Sequence, residues 1–304
     1  MSITRRYFLS FTATVGAAYG FGLGDLTKAV SGVVQTTGGS NGNILNSGLN
    51  AVSTVVDAYN SNSFTIYDEY KVGEEIVAKM LGTYKLYNNR ELINYINGVG
   101  HTIALASHMP NHYNGIRFML LDAPSEINAF AAPGGFVMIT TGMLKFLKNE
   151  EELAVIIGHE MGHLELEHGT SAIKSSNNTK VAGALKDVAV DAAGAENAMV
   201  AGLAGDLFGH LFESIEKGYS VDLESQADKR AIELAHYAGY DATALPTILN
   251  RFKAEKNSYG GANYPVQREK DAIKVLQAIK GAASSELIAF RNSRYSRAID
   301  AAKL

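Results

Sequence analysis

Along most of this chain the apolar side chains recur at the spacing of one face of a helix. The pattern predicts helices over 69–81 and 90–105, with a loop around Pro110 after the second. After Thr141 the chain reads as helix to its end. A run over 151–168 follows the acidic turn Glu150, Glu151 and Glu152 and carries Leu153, Val155, Ile156 and Ile157 close together, which favours a buried helix. Behind it come a long Ala- and Gly-rich segment over 181–212, a helix across 227–237 and two C-terminal helices. The period changes only in the middle. There 116–121 and 136–140 are short runs of β-branched and large apolar residues, with Pro133, Gly134 and Gly135 as turn chemistry between them. The expected fold is α+β, mostly helical, with a small antiparallel sheet beside the buried helix.

The first residues break this pattern. Arg5 and Arg6 precede an uncharged stretch from 7 to 24 that Asp25 closes, the layout of a secretory signal, and Arg5-Arg6-Tyr7-Phe8-Leu9 resembles the twin-arginine export signal. Residues 1–31 are therefore expected to be an export signal, or an uncleaved anchor through which the chain associates with a membrane. Residues 32–63, rich in Gly, Ser, Asn and Thr with one apolar patch, read as a linker containing a short helix. The remaining 64–304 form the main domain. Within it the 181–212 segment is no membrane span, because Lys186, Asp187, Asp191, Glu196, Asp206 and His210 interrupt it.

Composition narrows the chemistry. The chain has 304 residues and a formal net charge of −4 with its Lys and Arg scattered, so no basic field for nucleic acid exists. It has no cysteine, which excludes disulfides, thiolate nucleophiles, Cys-ligated zinc and a lipid-modified N-terminal Cys. Any metal must sit on His, Asp or Glu.

His159 and His163 lie four residues apart on the buried helix, so both imidazoles leave one face at a separation that a single tetrahedral zinc bridges. Glu160 beside them is placed to take a proton from a zinc-activated water and pass it to a leaving amine. A structural site takes four protein ligands and a catalytic one three, so the identity of the third ligand matters. His168 falls about 180° from His159 at ~100° per residue, and is expected behind the ligands or at the surface rather than on the metal. The three-histidine protease pattern would also need Gly at 166 and His at 169, where this chain has Leu166 and Gly169. Glu167 faces the right way but lies too far along the axis. Glu224 from a second helix would complete a His-His-Glu site, with Asp228 one turn later accepting the free ring N–H of a zinc histidine. Spacing alone equally allows two solvated acids on a surface helix.

Four blocks in this order resemble the HtpX-like and CAAX-prenyl-endopeptidase group of gluzincin zinc metallopeptidases, the forty-eighth metallopeptidase family. They are Glu69-Tyr70-Lys71-Val72-Gly73; Asn128-Ala129-Phe130-Ala131-Ala132-Pro133-Gly134-Gly135-Phe136-Val137; the run 151–163 that ends in His159-Glu160-Met161-Gly162-His163; and 224–228 followed by Ala238-Gly239-Tyr240-Asp241. The resemblance implies a gluzincin-like domain with one Zn2+ held by His159, His163 and Glu224. It also places 128–140 at the edge of a cleft, where an extended substrate adds as a strand against Asn128, Ala129 and Phe130. The likeness is greatest to soluble periplasmic members that act on outer-membrane protein assembly. Three positions depart from the family pattern, one of them Val221 where relatives often have Arg. Gln226 stands where relatives usually have Glu, and Tyr264-Pro265 where many have His-Pro, so that Tyr264 is either an oxyanion donor or a packed aromatic.

The expected activity is that of a zinc endopeptidase acting on unfolded or misassembled exported polypeptides. The alternative is a non-catalytic exported holdase pinned by zinc, for which an intact Glu160 has no use. An integral-membrane prenyl-protein endopeptidase would need several spans that the sequence lacks.

Overall fold

The packing of two short-residue helix faces sets the centre of the molecule. In the computed structural model the helix α4 (Glu150–Glu165) is buried on every side from Glu150 to Leu164. A helix this thoroughly enclosed belongs to a core and not to a surface layer. Asn149 caps its amino end, its side chain accepting from the Glu152 amide at 2.9 Å. Along one flank Gly158 and Gly162 face Ala231 and Ala227 of α5 (Val221–Tyr237), so near that a Cβ on either glycine would sit 3.0–3.2 Å from α5 main-chain atoms. The two helices therefore touch backbone to backbone.

The structure describes residues 66–109, 112, 114–171, 211–253, 266–279, 281 and 283–304, all within one compact unit of the chain. The export signal or anchor (1–31), the linker (32–63), most of the 181–212 segment and Tyr264 lie outside the described residues. Around α4 are α1 (Ile66–Thr83), α2 (Arg90–Ala104), the short α3 (Thr141–Phe146), α6 (Ala244–Phe252), α7 (Val266–Ala278) and α8 (Ser285–Ala301). The helices forecast from periodicity over 69–81, 90–105, 151–168 and 227–237 are all present, with shifted ends. Among the described residues no helix is long and apolar enough to cross a membrane.

The sheet has three strands, β1 (Arg117–Leu121), β2 (Ala129–Ala132) and β3 (Phe136–Thr140), in the order β1-β3-β2. It is mixed, which corrects the expected antiparallel pairing of the two apolar runs. β1 runs parallel to β3, with Arg117 opposite Phe136, and the antiparallel neighbour of β3 is β2, with Ala129 opposite Ile139. The Pro133-Gly134-Gly135 turn closes the β2–β3 hairpin, and because β2 takes that side, β1 is left to pair in parallel on the other. Gly134 and Gly135 adopt φ of 76° and 90°, and a Cβ on Gly134 would fall 2.3 Å from Tyr70 Cα, so α1 packs directly on the turn. All of β2 and β3 is buried, as strands covered on both faces are. β2 lies at a sheet edge and packs against α4, the helix that carries His159 and His163.

Candidate metal centre

His159 and His163 come from the carboxyl-terminal half of α4, and Glu224 and Asp228 come from the first turns of α5, just after Ser220. The backbone contact between the two helices brings the four side chains together. His159 Nε2 and His163 Nε2 are 3.1 Å apart, and Glu224 places Oε2 3.3 Å from the first and Oε1 3.7 Å from the second. Ligating atoms of these three residues all lie within 4.8 Å of one another. Two nitrogens on a tetrahedral zinc with bonds of about 2.0–2.1 Å would be separated by about 3.3 Å. The donor set therefore fits such an ion in kind and spacing. Glu224 Oε2 adds to this fit, being a buried carboxylate oxygen turned toward the His159 ring nitrogen.

Asp228 stands behind His159. Its Oδ1 lies 3.0 Å from His159 Nδ1, so that nitrogen donates and Nε2 keeps the lone pair that faces the metal position. Asp228 is itself gripped by Arg268 of α7, whose Nε donates to Oδ2 at 2.7 Å and Nη2 to Oδ1 at 2.8 Å. Arg268 Nη1 also lies 3.1 Å from Glu224 Oε2. Burial disfavours the charge on Asp228, but Arg268 and His159 outweigh it and hold its carboxyl below the ordinary value. Burial likewise opposes protonation of His159, and the bonds and charges of Asp228 and Glu224 overcome it, raising its pKa to about 10. His163 is held well below its usual value by burial and by His159.

Glu160 is buried next to His159, and its charge acts on the hydroxyl of Tyr219, whose pKa burial, Glu160 and Glu224 push up. The Tyr219 ring stacks on His163 with centroids 4.6 Å apart, and its main-chain N–H donates to Glu224 Oε1 at 2.9 Å. His168 is buried and not at the surface, with Nδ1 2.8 Å from His163 Nδ1. Asn128 is half-buried at the start of β2, its Oδ1 accepting from the Ala129 amide at 3.0 Å and its Nδ2 3.4 Å from the Glu216 carbonyl. Ala129 and Phe130 are buried, Phe130 against Tyr84.

Sequence reasoning did not single out Arg268 or Tyr219. A signal for the first was present: two carboxylates four residues apart need a cation once buried. Arg268 opens the helix just past Tyr264-Pro265 and supplies one. Tyr219 carries no periodic or motif signal of its own.

A His-Glu-x-x-His helix faced by a glutamate from a second helix defines a metallopeptidase-type centre. The sequence profile described as Peptidase family M48 matches residues 91–289, and the chain belongs to that family of metal-dependent peptidases. It is 29% identical to the beta-barrel assembly-enhancing protease of Escherichia coli (strain K12) over 193 residues, 62% of this chain and 38% of that protein. It is 24% identical to metalloprotease YcaL of the same strain over 199 residues, covering 64% and 72%, and 25% identical to the mitochondrial metalloendopeptidase OMA1 of Bos taurus over 152 residues, covering 48% and 28%. The chain thus spans well under half the length of the assembly-enhancing protease.

Proposed function

We propose that this chain is an exported zinc endopeptidase of 64–304 domain organisation that cuts unfolded or misassembled polypeptides. His159, His163 and Glu224 hold the ion, Glu160 carries the proton, and Asp228 orients His159. The observation that carries the reading is the convergence of two imidazole nitrogens and a buried glutamate oxygen, beside a buried Glu160 that ligand spacing does not require. A bound zinc supplies Lewis acidity toward a peptide carbonyl and lowers the pKa of water. Glu160 accepts the proton of the attacking water and returns it to the leaving amine, so no covalent intermediate forms. β2 aligns the substrate as an added strand through its main chain, with Asn128 at the entrance. Substrates read by backbone vary in sequence, which suits the clearance of misassembled chains. The name of the assembly-enhancing protease and the signal-like residues 1–31 support a periplasmic site of action.

The test is purified wild-type protein and Glu160→Gln on unfolded casein, each with and without a chelator. Cleavage by wild type alone, abolished by the chelator, is the expected result. Equal cleavage by both proteins rules out Glu160 as the proton carrier, and none by either favours the holdase alternative.

A further inference from the structure

The two ligand histidines are backed differently. His159 leans on a carboxylate, whereas His163 Nδ1 lies 2.8 Å from His168 Nδ1, with both residues buried. A neutral imidazole has one N–H and one lone pair. On the reading above, on which this inference rests, His163 Nε2 gives its lone pair to the metal, facing His159 Nε2 at 3.1 Å. The proton of His163 is then on Nδ1 and must be donated. The atom in position to accept it is His168 Nδ1, which in turn puts the His168 proton on Nε2.

Sequence geometry put residue 168 on the far side of a continuous helix, but the helix does not continue. α4 ends at Glu165, and Glu167 takes the left-handed conformation with φ of 53°, unusual for a residue with a Cβ. That break swings His168 back along the helix onto the edge of the His163 ring, at 72° to it and with centroids 4.9 Å apart. Tyr219 stacks on the His163 ring at 26°, so the ligand is held both on its face and at its edge.

We propose that His168 is a positioning residue that accepts the Nδ1–H of His163, fixing that ligand's tautomer and ring rotation as Asp228 does for His159, but with a neutral acceptor. Because an imidazole pushes less electron density through the hydrogen bond than a carboxylate does, His163 is the weaker of the two nitrogen donors.

The test is zinc affinity of the full chain, measured by competition with a chromophoric chelator, alongside the melting temperature without zinc. His168→Leu fills the volume but cannot accept, and is expected to weaken zinc binding about 10- to 100-fold. His168→Gln, whose amide oxygen can accept, restores most of that loss. Wild-type affinity in His168→Leu, or equal losses in both variants, overturns the proposal. Should His168→Leu not fold, the wild-type chain labelled with 15N-histidine and loaded with zinc decides by NMR. His168 protonated on Nε2 alone supports the proposal, and a proton on its Nδ1 overturns it. A wild-type chain that binds no zinc would instead sink the metallopeptidase reading together with this inference.

Discussion

The two ends of α4 are equally buried and oppositely built. At the amino end Glu150 accepts from Tyr95 at 2.9 Å, from Tyr240 at 3.2 Å and from the Arg294 guanidinium. Glu151 accepts the Asp241 amide at 2.6 Å, and Glu152 takes both Nη atoms of Arg251 at 2.7 and 2.8 Å. Each acid is thus tied to later elements, and each of their carboxylate oxygens has a protein donor. At the carboxyl end the polar groups turn toward one another, and the Tyr219 hydroxyl is buried without a hydrogen bond. Buried polar atoms left unpartnered cost stability, so they mark where structure has given way to another demand. One end is an anchor completed by the protein itself. The other presents donors to a cation.

This contrast makes stability and activity separable along one helix. The largest effect is expected at the carboxyl end, where Glu160→Gln lowers kcat on casein by about 10²- to 10⁴-fold while the urea midpoint stays at the wild-type value. Next is the amino end. Glu150→Leu strands Arg294 and two tyrosine hydroxyls and should cost about 2–3 kcal/mol in urea unfolding, with kcat unchanged where the variant is folded. A fall in kcat parallel to the loss of stability would collapse the distinction between the ends. Arg268→Gln should loosen both Glu224 and Asp228 and weaken zinc binding by about tenfold in chelator competition. An unaltered affinity would reduce Arg268 to a packing role.

The smallest effect sharpens the boundary between the ends. The side chain of Glu165, the last residue of α4, packs with Arg230 and Ser107. Burial alone would raise its pKa, but Arg230, Ser107 and the His108 amide hold it below the ordinary value. A depressed carboxyl contributes stability that is present above its unfolded pKa and lost as pH falls through the folded one. Glu165→Gln should therefore be about 1 kcal/mol less stable than wild type at neutral pH, with the gap closing below about pH 4. A gap that persists in acid would mean that shape and not charge holds that corner.

What could be read in the sequence was what repeats at short range. The spacing of His159 and His163, and of Glu224 and Asp228, translates into shared helix faces, and the apolar run over 151–168 marked the buried helix. What could not be read depends on contacts between distant segments. Arg268 meets Asp228 across 40 positions, and nothing local announces it. Glu150, Glu151 and Glu152 look like an ordinary acidic first turn, and only the arrival of Arg294, Arg291 and Arg251 from later helices makes them a buried anchor. β2 is rich in Ala, a poor strand former, so pattern alone did not show it as a strand, and with it went the parallel pairing of β1. His168 was misplaced on its helix because a single left-handed residue at 167 ends the regular period.

The Gly158–Gly162 seam has a consequence for what the centre can hold. Because α4 meets α5 main chain to main chain, the gap between the imidazoles and Glu224 is set by two backbones and not by adjustable rotamers. A methyl at either glycine would push the helices apart by a few tenths of an ångström, comparable to the roughly 0.2 Å of latitude that metal–ligand bonds allow. The pair of glycines works as a gauge block: the residues that never touch the ion determine its permitted size.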